Sequence, residues 1–192
     1  HTATIGMNSL AHCIEALYAK VKNPISDQFA ISGIKALITG IPESIKNPNN
    51  LNARSNVLYG GMLSGYCVTL AGIAIHHKLC HVLGGHHGIE HGSSNSVILP
   101  YAVAYNERAA PEAMEIIKKT MGTTSASGGI YDFARKIGVP KSLMELGMCE
   151  EDLDRAAQEI LKKPFNNPKK LVEKSVRELL QQAFEGKRPV PF

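Results

Sequence analysis

Apolar residues recur at intervals of three and four along most of this chain, and nowhere alternate at an interval of two for long enough to make a strand. The first such stretch predicts a helix over Thr4 to Lys20, with Met7, Leu10, Ile14 and Leu17 on one stripe and Asn8, His12 and Glu15 on the opposite face. Ala11, Ala16 and Ala19 flank that second face, which reads equally as a solvated surface or as a place where a ligand or another backbone comes close. Asn23-Pro24 predicts the N-cap and first residue of a second helix, carried by Ile31, Ile34, Leu37 and Ile38 to about Thr39 and ended by Gly40 and Pro42. After the loop Asn47-Pro48-Asn49-Asn50, a third helix is expected from Ala53 past Ile75. It reads as the most buried element, its glycines Gly60, Gly61, Gly65 and Gly72 admitting another helix or a flat cofactor.

The run His76 to Gly92 carries six of the eight histidines. It is expected to continue the third helix until Gly84-Gly85 stops it. His77 and His81 are four apart and share a face, and His91 lies across a glycine turn from which it can fold back toward them. That spacing suits a metal site or a proton-transfer cluster. His76, His86 and His87 have no such pairing logic and read as neighbours.

Further helices are predicted over Pro111 to Lys119, Ala126 to Ile137 (ended by Gly138 and Pro140) and Glu150 to Lys162 (ended by Pro164). A last one opens at Asn167-Pro168 and stops at Gly186. The class is therefore all-α, a bundle of roughly seven or eight helices forming one domain over residues 1–192.

Composition narrows the picture. With 192 residues, 44% of them hydrophobic, the chain can bury a proper core. A net charge of +4, with basic and acidic residues intermingled, argues against nucleic acid as a partner. Cys13, Cys67, Cys80 and Cys149 show no framework spacing, as expected of buried thiols in a reducing cytoplasm. No apolar run reaches the ~18 residues that a membrane span needs.

Three neutral imidazoles, His12, His77 and His91, would suit zinc or ferrous iron with a fourth ligand. Asn8 is a poor fourth ligand, because a carboxamide offers a neutral oxygen where a carboxylate would offset the ion's charge. Glu15 or Glu90 could compensate. The alternative use of the cluster is metal-free, with imidazolium groups binding an anion and donating a proton.

The runs Gly6 to Leu17 (GMNSLAHCIEAL), His77 to Gly85 (HKLCHVLGG), Glu90-His91-Gly92 and Asn95 to Asn106 closely resemble the C-terminal helical domain of the iron-containing, or group III, alcohol dehydrogenase superfamily, a dehydroquinate synthase-like helical fold. Ile137 to Pro140 and Glu150 to Leu153 are similar to the same family's ending. The resemblance implies metal-ligand positions at Asn8, His12, His77 and His91, and places His81 beside the nicotinamide. Asparagine at the family's aspartate position, with the HHKLCH run, is similar to the maleylacetate reductases, a metal-independent branch that reduces the C=C bond of maleylacetate to give 3-oxoadipate in aromatic-compound degradation. On that resemblance His77, His91, His12 and His81 are the expected catalytic residues. NADH or NADPH is the expected cofactor, no metal is expected, and the full-length protein is expected to be a homodimer.

The family's N-terminal α/β dinucleotide-binding domain has no counterpart in the sequence, which lacks a GxGxxG fingerprint after a strand. The chain alone is therefore expected to be inactive. Two rivals stand beside this reading: a metal-dependent alcohol dehydrogenase of the same superfamily, with Glu15 or water replacing the aspartate, and a non-enzymatic helical metal-binding module.

Overall fold

The computed structural model describes residues 1–192, which form nine helices and no strand: α1 (Thr2–Tyr18), α2 (Pro24–Lys46), α3 (Leu51–Ala71), α4 (Ile75–His87), α5 (His91–Asn106), α6 (Pro111–Met121), α7 (Ala126–Lys136), α8 (Asp152–Leu161) and α9 (Glu173–Glu185). The all-α class stands; the seven helices placed along the sequence become nine, because the long third helix is two and His91–Asn106, not placed as a helix from the sequence, forms α5.

Two apolar clusters carry the packing. One joins α1, α2, α3, α6 and α7, and the other joins α4, α8 and α9. Helix α5 runs between them, giving Leu99 and Val103 to the first and Val97, Ile98, Tyr101, Ala102 and Tyr105 to the second. Every residue from Ser94 to Asn106 is buried, so α5, not α3, is the most buried helix. A helix apolar on all sides has no polar face by which its burial could be ranked from periodicity. Helix α3 instead leaves Leu58, Tyr59, Met62, Tyr66 and Leu70 exposed.

Helix α2 starts as expected: Asn23 accepts from the backbone N–H groups of Ile25 and Ser26, and Ser26 answers in a capping box. Its expected end is wrong, since α2 continues through Gly40 and Pro42 to Lys46. Gly40 marks a helix crossing, where a Cβ would lie 3.0 Å from the Ala53 carbonyl oxygen and from Asn56 and Val57. Pro42 removes one helical hydrogen bond, a loss that packing against α1 and α3 overrides.

The expected continuous helix through the histidines breaks at Gly72, whose φ of 77° is left-handed, and α4 leaves at 101° to α3. Gly84 and Gly85 do not stop α4. It ends at Gly88, in the left-handed region, with the Ile89 N–H closing on the Leu83 carbonyl as in a Schellman motif. Glu90 then caps α5 by accepting from Gly92 and Ser93. Asn167-Pro168 does not open a helix. Asn167 instead exchanges two amide hydrogen bonds with buried Asn106, pinning the segment before α9 to the end of α5.

Candidate active site

The site forms where α1, the start of α4 and the start of α5 meet. Glu15 organises it. Its carboxylate is fully buried and accepts from the backbone N–H groups of Ala74 and His76, each at 2.9 Å, and from His77 Nδ1 at 2.7 Å. Two free N–H groups at a helix start attract an anion, so this carboxylate anchors α4 at its break from α3. The α1 face bearing Glu15 is therefore no solvated surface.

Asn8 and His12 stand two turns and one turn before Glu15, both half-buried. The His12 and His77 rings stack, with centroids 3.8 Å apart and planes 16° from parallel. His77 Nε2 lies 3.2 Å from the Asn8 amide oxygen. His81 and His91 face each other across 6.2 Å, both open to solvent. All five predicted positions thus converge, as two pairs with Asn8 beside the inner one.

His76 is the residue that spacing did not single out. Fully buried, it donates from Nε2 to the Asn95 carbonyl at 3.0 Å, and its Nδ1 lies 3.2 Å from His77 Nδ1. That fixes the tautomers. His76 carries its proton on Nε2, so His77 carries its proton on Nδ1, shared between Glu15 and His76. His77 Nε2 is then a lone pair, and what meets it from Asn8 is the amide NH2, the two ends of the carboxamide exchanging by a half-turn. Asparagine supplies a hydrogen where an aspartate would need a cation between it and the imidazole.

Burial sets the charge states. It lowers His77 to about 3, helped by His81 and His91, and lowers His12 to about 4, helped by His77. His76 falls to about 3 for the same reason. His12 and His77 are therefore held in the neutral form at neutral pH, not as the imidazolium groups of the metal-free alternative. Burial, then His91 and Lys78, also lower His81. Glu15 is pushed up by burial against the pull of His76 and its backbone donors.

These donors do not suit a divalent ion at the family's ligand positions. The stacked rings of His12 and His77 hold their lone pairs in near-parallel planes that cannot converge on one centre. Asn8 adds no charge. His12 Nδ1 is buried without a partner, lacking the outer hydrogen bond that orients a metal-bound imidazole. The only set of three histidine, cysteine or acidic donors lying within 4.8 Å of one another is Glu15, His76 and His77, already tied to each other. Neither suggested substitute reaches the Asn8 side, because Glu15 holds the opposite edge of His77 and Glu90 caps α5.

The fold and the site together define an all-helical domain with a buried histidine cluster between α1 and α4. The family model described as "Fe-containing alcohol dehydrogenase family, C-terminal" matches residues 2–184, and the chain belongs to that family. Maleylacetate reductase 1 of Rhodococcus opacus is 38% identical over 183 residues, 95% of this chain and 51% of its own. The structure of maleylacetate reductase from Rhizobium sp. strain MTP-10005 superposes with a TM-score of 0.94 at 41% identity, covering 97% of this chain and 53% of that one. That of a 1,3-propanediol oxidoreductase gives 0.90 at 31%, covering 95% and 51%. The chain spans about half the length of the curated relatives it matches.

Proposed function

We propose that residues 1–192 are one helical domain, the C-terminal half of a maleylacetate reductase that works without a metal and takes hydride from NADH or NADPH. The observation that carries this reading is the contact of Asn8 with His77 Nε2, which completes the site with a hydrogen bond where a metal-dependent relative needs an ion. A bound nicotinamide would supply a hydride to the alkene carbon β to the ketone. The α carbon, left as an enolate, then takes a proton. Neutral His12 and His77 are poor acids, and the His77 proton is already held by Glu15, so the donor in this reading is His81 or His91, whose exposed rings exchange protons with solvent. Glu15 holds His77 in register, and Asn8 holds the other edge of that ring.

The second reading is a metal-dependent alcohol dehydrogenase, the chemistry of the family's name; the stacked imidazoles weigh against it. The binding of the dinucleotide falls to a preceding α/β domain, and the exposed apolar residues Leu58, Met62 and Tyr66 on α3 are consistent with a covered face there. We place the protein in the cytoplasm as a homodimer; no single helix is long and apolar enough to cross a membrane. The test is maleylacetate-dependent oxidation of NAD(P)H by the full-length protein with and without a strong chelator. Retained activity is expected. Activity lost on chelation and restored by iron or zinc would reverse the assignment.

A further inference from the structure

We propose that Lys78 and Lys163 form the subsite that binds the far carboxylate of a dianionic substrate, while the reacting end lies at His81 and His91. This rests on the reductase reading above and extends it to residues outside the inner histidine pair.

Two cavities meet at Lys78 and Phe165. One, of about 820 Å³, is lined by Lys20, Lys78 and Asn167 with the backbone of the α3–α4 break, and has no acidic wall. The other, of about 440 Å³, is lined by Lys78, His81, His86, Lys162, Lys163 and a single acid, Glu159. Glu159 is already paired with Lys162 at 2.7 Å. Lys78 is half-buried, has no carboxylate partner, and rests its ammonium 5.8 Å from the Phe165 ring centre. An ammonium drawn out of bulk water without a counter-ion is a standing site for an anion.

Its place relative to the chemistry is fixed by the helix. Lys78 precedes His81 by three residues, so the two share a face of α4, and the smaller cavity holds both. A neutral alcohol would leave the ammonium unpaired. A chain with carboxylates at both ends would reach from His81 to Lys78 and pair it, so this cavity selects for dianions.

The test uses the full-length protein with Lys78→Met, Lys78→Arg and Lys163→Met, each checked for folding by circular dichroism. For maleylacetate, Lys78→Met is expected to raise KM about tenfold or more, with a much smaller change in kcat. Lys78→Arg should restore most of that loss, and Lys163→Met should show a smaller rise. The monoester blocked at the far carboxyl should show no such rise in any variant. Equal effects on diacid and monoester, or none on either, would overturn the subsite. Titration with maleate against crotonate separates it from the reductase reading: if the wild type turns over no maleylacetate, that reading fails. The subsite then stands only if maleate binds more tightly than crotonate and Lys78→Met removes the difference; an unchanged preference overturns it.

Discussion

Glu15 Oε2 lies 2.7 Å from His77 Nδ1, both side chains buried, while the other oxygen of the same carboxylate takes the His76 N–H. One acidic group thereby joins the fold of α4 to the orientation of the central imidazole.

Glu15→Gln keeps the volume but turns an NH2 toward donors that already face it. Stability should fall by about 1–3 kcal/mol in denaturant titrations, the cost of a buried donor left unpaired. If His77 takes part in the proposed reaction, turnover of the full-length protein should fall at least about tenfold, out of the ~10²–10⁴-fold that a positioned acid–base group contributes. Full activity in the folded variant would remove Glu15 from the site's machinery.

Acid should unfold the chain earlier than carboxylate titration alone predicts. His12, His76 and His77 have folded values of about 4, 3 and 3, against an unfolded ~6.5. A lowered histidine value means that the unfolded chain binds the proton first. Stability is thus complete above ~6.5 and is lost as pH falls toward 4, by about 1.4 kcal/mol per pH unit for each histidine. Glu15, shifted upward, works in the opposite sense and offsets part of the loss. Urea midpoints from pH 7.5 to 4.5 read this directly; a flat profile contradicts the buried neutral histidines.

Asn8→Asp places a carboxylate against the His77 Nε2 lone pair, an arrangement completed by a cation. Zinc affinity, measured by competition with a chromophoric chelator, should rise at least about tenfold, and maleylacetate turnover should drop. Unchanged zinc affinity would separate Asn8 from metal preference.

Two glycines should respond in opposite directions. Gly40→Ala puts a methyl 3.0 Å from the Ala53 carbonyl and should cost about 1–3 kcal/mol. Gly65→Ala meets nothing within 4 Å and should stabilise this chain by about 0.5–1 kcal/mol. Thermal unfolding of both variants decides the signs.

The stripe Met7, Leu10, Ile14 and Leu17, the Asn23-Pro24 cap and the stop at Gly186 were legible because each rests on neighbours within a turn or two along the chain. The spacing of His77 and His81, with His91 beyond the turn, marked the site for the same local reason, and asparagine at position 8 already posed the question of the metal. What the sequence could not give was long-range. Whether Pro42 or the Gly84-Gly85 pair ends a helix depends on packing from other elements, and α3 breaks at Gly72 where a carboxylate from α1 claims the next helix's free N–H groups. Glu15 is separated from His77 by 62 positions, and His76 from its Asn95 acceptor by 19. The sequence alone determined the all-helical class and which side chains could carry chemistry. Only the tertiary structure decided that the inner histidines are neutral, because charge state follows from burial and from partners that no local pattern records.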